Sequence, residues 1–408
     1  MPTFTAVVRD RTGAQLEQRV EAANQRAAER QLLASGFDRV VSMTEDRAAA
    51  VAKQKSWAAR KKVGLKHLSI FCRQFATMIN AGVSLVRCLD VLEQQTVSAN
   101  LKLIIRDIQG EVEAGNTLSR ALSKFPRVFS NLAVGLVRAG EVGGVLDETL
   151  ERLAGFLEKD MELRRKVKAA MTYPVLVMIV AIGIVIFLVT FILPKFMKLF
   201  TELGVKEFPL PTRIMQAASN FMVHKWWVCL IIAVLLWVGV GRIRATRTGR
   251  RYYDIIKLKV PVFGSLNHKI AVSRFARTLA TLLSSGVPIL QAMETVAGTV
   301  DNSIISDAIM LSRTSIREGD TIGQPLAESR MFPPMVVQMI TIGEETGQLD
   351  AMLSKVADFY EGEVESMLES LTAALEPVMI VFLGVVVGFI VISMFLPLIA
   401  IISSLSEN

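Results

Sequence analysis

Three stretches of the chain carry no Asp, Glu, Lys or Arg: those between Lys168 and Lys195, between Lys225 and Arg242, and between Glu376 and Glu407. A helix needs about 20 mainly apolar residues to cross the roughly 30 Å hydrocarbon layer, so the first and third predict membrane spans. The middle stretch, Trp226 to Gly241, is shorter, and Lys225 and Arg242 would have to snorkel toward the headgroups. Elsewhere the pattern is helical. Phe71, Phe75, Met78 and Ile79 follow the spacing that lays one apolar face on a helix. Asn80-Ala-Gly-Val and Ser284-Ser-Gly-Val read as helix ends, with Gly82 and Gly286 supplying the left-handed residue. Further breaks at Gly115 and Gly319, from Gly140 to Gly144 and from Gly343 to Gly347 divide each region into about five or six short antiparallel helices.

The two regions are copies of each other. Phe71 to Leu92 aligns with Phe275 to Val296 at a shift of 204, matching Phe, Arg, Ala, Thr, Gly and Val. At a shift of 203, the segment from Phe129 matches that from Phe332, with Gly-Glu, a second Gly and Leu-Asp in register. Pro174 then falls on Pro377, and Pro194 on Pro397. Two units of one orientation, each ending in an outgoing span, can be joined only if the chain crosses back between them. The middle stretch is therefore expected to be a third span.

Basic residues are retained on the cytoplasmic side. Arg164, Arg165, Lys166 and Lys168 precede the first span, and Arg242, Arg244, Arg247, Arg250 and Arg251 follow the second, so both flanks and the amino terminus are expected inside. At the start of the chain, Thr3 to Arg9 and Leu16 to Ala22 read as strands about a turn at Thr12-Gly13, followed by a helix from Asn24 that stops near Gly36. The expected division is a small α+β domain at 1–43, a basic linker containing Trp57 at 44–66 and a first cytoplasmic helical bundle at 67–170. A span at 171–194, a periplasmic loop at 195–225, a span at 226–241 and a basic cytoplasmic connector at 242–270 follow. A second bundle at 271–376 and a third span at 377–403 complete it. The fold class is mainly α.

Composition narrows the chemistry. At 408 residues the chain allows two or three folded units, and 51% apolar residues beside a net charge of +8 fit a protein partly in lipid. Three cysteines without a close pair build neither a disulfide framework nor a four-thiolate zinc site. Cys72 and Cys88 fall on Ala276 and Ala292 in the second copy and read as small packing residues. The first residues lack the marks of a cleavable export signal. No phosphate-binding G-x-x-x-x-G-K-[ST] loop, H-E-x-x-H pair or G-x-S-x-G elbow occurs, so no catalytic constellation, metal centre or cofactor is expected. The predicted spans hold no Asp, Glu, Lys, Arg or His, which removes the main support for a solute transporter. Gly384 and Gly388 permit close helix approach in the third span. The basic run from Arg242 to Lys259 follows from its place beside a membrane, and no nucleic acid is implied.

Two acidic loops stand out: Glu141, Asp147, Glu148 and Glu151, and in the second copy Glu344, Glu345 and Asp350. They read as a helix junction whose first-turn acids complement the macrodipole, as a docking surface for a basic partner, or as a weak divalent-ion site.

The repeated F-x-R-x-[FL]-A-T…[AS]-G-V segment, the paired G-E-x-x-G-x-L-D loops and the proline-bounded first and third spans resemble the inner-membrane platform proteins of type IV pilus and type II secretion machines. The resemblance covers nearly the whole chain, including Phe208 to Arg213. It implies a multi-pass, non-enzymatic protein of the bacterial inner membrane that assembles as a homo-oligomer. Its implied partners are a cytoplasmic motor ATPase, pilin or pseudopilin subunits, other inner-membrane assembly proteins and membrane lipid. Positions shared with the family map onto Arg73, Gly82, Gly140, Glu141, Gly144 and Asp147 in the first copy. In the second they are Arg277, Gly286, Gly343, Glu344, Gly347 and Asp350. All are candidate contact or folding positions. The expected role is mechanical coupling of a motor to pilin insertion or removal, in a pilus or a secretion system. A transporter or a membrane-tethered signalling scaffold is the reading of another class.

Overall fold

The computed structural model describes residues 3–9, 15–22, 25–35, 37, 39–45, 63–202 and 208–406. They fall into two compact units, Met1–Glu158 with Ser285–Val287, and Lys159–Ser284 with Pro288–Asn408.

The first unit opens with strands β1 (Thr3–Arg9) and β2 (Gln15–Glu21), helix α1 (Gln25–Ala34) and strand β3 (Arg39–Glu45). The strands form an antiparallel sheet in the order β2-β1-β3. Ala6 and Val8 on β1 and Leu32 on α1 are buried together, which is what holds the helix to the sheet. The third strand is a departure from expectation: it takes in Thr44 and Glu45, assigned from sequence to the linker. Its Val40 and Val41 are β-branched and suit a pleated surface. The expected turn at Thr12-Gly13, the stop at Gly36 and most of the basic linker with Trp57 lie outside the described residues.

The first bundle comprises α2 (Leu65–Asn80), α3 (Leu85–Gln95), α4 (Ala99–Glu113), α5 (Leu118–Ser123), α6 (Asn131–Gly143) and the head of α7 (Leu146–Phe187). The second repeats it as α12 (Phe263–Ser284), α13 (Ile289–Thr299), α14 (Ser303–Glu318), α15 (Gly323–Glu328), α16 (Pro334–Thr346) and the head of α17 (Leu349–Ser406). Gly82, Gly115, Gly144, Gly286, Gly319 and Gly347 all have φ between 70° and 100°, the left-handed backbone that ends a helix at little steric cost. Each core holds one equivalent aromatic pair. Phe71 and Phe129 pack edge-on at 6.3 Å, and their counterparts Phe275 and Phe332 lie 4.7 Å apart. Met78 and Ile79, expected on the buried face of α2, are half-buried; Leu68, Phe71, Cys72, Phe75 and Ala76 form that face.

Among the described residues, three helices are long and apolar enough to cross a membrane: Leu146–Glu202, Trp227–Ala245 and Leu349–Ile399. Among the intervening segments, two differ from expectation. The segment read as a loop at 195–225 consists largely of helices, α8 (Leu193–Glu202) and α9 (Leu210–His224), whose Phe200 and Met215 are buried with Val189, Leu193 and Ile390. The segment read as a connector at 242–270 holds the end of α10 (Trp226–Ala245), then α11 (Arg247–Lys259) and the start of α12. Buried Asp254 on α11 accepts the Ser303 N–H at 2.8 Å, capping α14 and fixing α11 to the second bundle.

The prolines do not end their helices. Pro174 lies inside α7, and Pro377 and Pro397 lie inside α17. Proline removes one backbone donor and so orphans the carbonyl one turn earlier, and in a membrane helix that carbonyl needs another partner. Pro397 leaves the Ser393 carbonyl open, and the buried Thr212 hydroxyl donates to it at 2.6 Å. Before Pro194 the backbone widens into a π-helical turn, Leu188–Ile192, in which the bond reaches back five residues. The orphan there is the Val189 carbonyl, and it accepts from the Ser219 hydroxyl at 2.7 Å. Thr212 and Ser219 are seven residues apart on α9, two turns along one face. The apolar burial of α9 thus places two hydroxyls against two proline defects.

Candidate coupling site

The shared positions converge on one joint in each bundle, where a long exit helix, α7 or α17, meets the shorter helices. At the first joint α6 ends at Gly144, with φ 71°, and α7 starts at Leu146. Asp147 and Glu148 occupy the first turn of α7, where carboxylates favour the positive end of the helix dipole. Gly140 lets the two helices meet closely: a Cβ there would lie 2.0 Å from Thr149 Oγ1 and 3.1 Å from Leu146 Cα. At Gly343 a Cβ would lie 2.8 Å from Leu349 Cα, and Asp350 takes the place of Asp147 in the first turn of α17.

Glu141 reaches back to α5 and accepts from the backbone N–H groups of Leu118, at 2.5 Å, and Ser119, at 3.1 Å. In the second bundle both carboxylate oxygens of Glu344 accept from Ile322 N–H, at 3.1 and 2.9 Å. A carboxylate at the unsatisfied N–H groups of a helix start is a charge-assisted cap. These two acids are engaged inside the fold, which favours the helix-junction account of the loops over a free docking charge. Glu151 points instead to Arg73, so the first acidic loop does not converge on a single ion-binding point.

Arg73 and Arg277 tie the exit helices to the first helix of each bundle. Arg73 donates through Nε and Nη2 to both oxygens of Glu158, each at 2.6 Å, and through Nη1 to Glu151. Arg277 donates through Nε to Glu361 at 2.9 Å and through Nη2 to Asp358 at 2.6 Å, with Nη1 3.5 Å from Ser354 Oγ. Glu158 and Glu361 are equivalent at the shift of 203, as are Glu151 and Ser354. The Glu158 and Glu151 carboxylates push the Arg73 guanidinium above its usual range. Arg73 in turn lowers the Glu158 carboxyl below its ordinary value. Burial opposes the charge of Arg277, and the bonds to Glu361 and Asp358 outweigh it, leaving its affinity for the proton raised. Sequence reading picked out both arginines but, of their carboxylate partners, only Glu151, and that as part of the acidic loop rather than as a partner of Arg73. The signal was present in the matched Glu158 and Glu361, some 85 residues from the arginines they hold.

Below its clasp α7 packs against the second bundle's helices. Leu163, Val167 and Ala170 lie with Leu266 and Ile270 of α12 and Val364, Met367 and Leu368 of α17. Lys166 pairs with Glu365 at 2.9 Å, and Arg274 with Asp160 at 3.2 Å. Cys72 and Cys88 are buried thiols; burial raises Cys72 to about 12, so it stays protonated and packs as an apolar group.

Both bundles with their exit helices, residues 71–194 and 275–397, match the family model of type II secretion system protein F, and residues 1–38 match that family's N-terminal domain. The chain belongs to the type II secretion system protein F family. Within that family it is similar to the type IV pilus assembly protein PilC of Thermus thermophilus, at 47% identity over the whole of both chains. It is 46% identical to PilC of Myxococcus xanthus, over 82% of this chain and 80% of the relative. Type II secretion system protein F of Vibrio cholerae is 31% identical over 86% of each. With three helices able to cross a bilayer, this member of the protein F family is an inner-membrane protein.

Proposed function

We propose that the chain is the inner-membrane platform of a type IV pilus machine, coupling a cytoplasmic motor ATPase to the insertion or removal of pilin subunits. In this reading the amino terminus and both bundles face the cytoplasm, which the basic flanks of the first two spans support, and 195–225 faces the periplasm. The chain contributes no chemistry of its own; ATP hydrolysis in the partner supplies the energy. Further copies of the chain, other assembly proteins and membrane lipid complete its surroundings.

The observation that carries this reading is the pair of clasped exit helices. α17 is continuous over 58 residues, Leu349–Ser406, about 87 Å at 1.5 Å per residue. A rod held to its bundle near the head by Arg277 and running unbroken into the third apolar stretch carries displacement from the bundle into the bilayer. α7, held by Arg73, runs likewise into the first. Type II secretion is the second reading, favoured by the family description, while the greater likeness to pilus assembly proteins supports a pilus. Deleting the gene tests both. Loss of surface filaments with export of enzymes intact supports the pilus, and the converse supports secretion. Neither defect would reject the platform reading in favour of a transporter or a signalling scaffold.

A further inference from the structure

A groove of about 630 Å³ opens along α7 where the chain passes from its last charges into the first span. Its walls are α7 from Leu163 to Ile179, Lys257 of α11, Asn267 to Arg274 of α12, and Asp301 and Asn302 before α14. The two ends differ in chemistry. Along α7 the lining passes from Arg164 and Lys168 to Met171, Val175, Leu176 and Ile179; Arg274, which pairs with Asp160, lies at the Arg164 end, and Lys257 lines the groove from α11.

The charges at the basic end are unevenly matched. Arg164 pairs with Asp160 at 2.9 Å, and Arg274 lies between Asp160 at 3.2 Å and Asp301 at 2.6 Å. Asp301 is the acid on the rim and is taken up by Arg274; the Nε of Arg274 is buried without a partner. Asn302 is occupied by the α14 cap and by the Asp254 carbonyl. Lys168 and Lys257 make no ion pair among the described residues, so two ammonium groups face the groove uncompensated. Val175, Leu176 and Ile179 are half or more exposed, so the apolar wall is unpartnered as well.

We propose that this groove holds an anionic phospholipid, its phosphate between Lys168 and Lys257 and one acyl chain along Met171, Val175, Leu176 and Ile179. The dimensions agree. Lys168 is the last charge before the uncharged stretch, and the eleven residues from there to Ile179 rise about 16 Å, about half the roughly 30 Å hydrocarbon layer. The groove therefore runs from headgroup level through one leaflet. Its cations sit where a basic pocket between helices binds an acidic headgroup, and its volume suits a ligand-sized occupant. A bound lipid would fill the gap between α7, α11 and α12 at the height where the exit helix enters the bilayer.

The test is native mass spectrometry of the full-length protein in detergent, offered dioleoyl phosphatidylglycerol or the matching phosphatidylcholine. Wild type is expected to retain phosphatidylglycerol preferentially. Lys168→Gln with Lys257→Gln should reduce that retention by about twenty-five-fold, since each lysine near an acidic headgroup contributes about a factor of five. Arg165→Gln with Lys259→Gln removes the same charge outside the groove and should leave retention unchanged. Val175→Trp, at an exposed position, should also reduce it by blocking the chain. Equal loss in both double variants, no preference between the lipids, or full retention in Val175→Trp would each overturn the proposal. Displacement of the lipid by inorganic phosphate would reassign the site to the free anion and overturn it too. The inference rests on the membrane placement of 171–194 and not on the pilus reading. Its failure leaves filament assembly untouched, and a deletion strain with normal filaments leaves the lipid result standing.

Discussion

Glu158 on α7 receives two parallel hydrogen bonds from Arg73, both at 2.6 Å, a fork-to-fork pairing. The pair fastens the exit helix to the first helix of its bundle, and side chains of both residues are more than a third exposed, so solvent screening limits its contribution to stability to about 1 kcal/mol. Arg73→Gln is therefore expected to lower the unfolding midpoint only slightly. Combined with Arg277→Gln it should abolish filaments at normal protein level, because the rods lose their attachment near the head. Lysine restores charge but not the fork, so Arg73→Lys should recover stability more fully than filament number. Filaments at wild-type count in the double glutamine variant would remove the clasp from the mechanism.

The same pair sets an acid limit. The carboxyl of Glu158 is held below its ordinary value of 4.5, chiefly by the hydrogen bond from Arg73. A group whose folded pKa is depressed contributes stability above the unfolded value and loses it as pH falls through the folded one. Relative to Glu158→Gln, wild type should be more stable at neutral pH, with the difference shrinking progressively below about pH 4.5. Thermal unfolding of both proteins in detergent across pH 3 to 7 measures this; a gap that does not change with pH would refute the assignment.

Thr212→Val leaves the Ser393 carbonyl buried without a donor, which costs about 1–3 kcal/mol. Pro397→Ala returns a backbone N–H to that carbonyl. The two substitutions together should thus be less harmful than their separate effects summed, a coupling that a double-mutant cycle reads directly. Ser219→Ala is the companion test at the Val189 carbonyl.

Glycines at the joint should divide by cause. Gly343→Ala places a methyl 2.8 Å from Leu349 Cα, a backbone atom that cannot turn aside, and should greatly reduce folded protein recovered from membranes. Gly144 and Gly347 need only the left-handed conformation, with nothing near a Cβ. Asparagine there should be tolerated and valine should not. Similar yields for Asn and Val would show that backbone conformation does not limit those turns.

Much of the architecture is written locally. The charge-free stretches, the glycine stops and the repeat at shifts of 203 and 204 follow from patterns that need no partner. Repetition also required a returning span that length alone left short. The segments 195–225 and 242–270 were harder, because their helices are stabilised by what they pack against: Met215 by Val189 and Ile390, Asp254 by the start of α14. The prolines that bound the first and third spans in the sequence sit within continuous helices for the same reason. The rule that proline ends a helix holds for an isolated segment, and here hydroxyls from α9 satisfy what Pro194 and Pro397 leave open.

Sequence by itself determined the duplication, the apolar spans and the identity of Arg73, Glu141, Arg277 and Glu344 as shared positions. Only the tertiary structure decided what those side chains do, namely that the arginines clasp the exit helices and the glutamates cap α5 and α15. The reason is physical. Helical periodicity and transfer to lipid act over a few turns of chain, whereas a charged side chain takes its role from whichever partner the fold brings to about 3 Å, here 22 to 85 residues away.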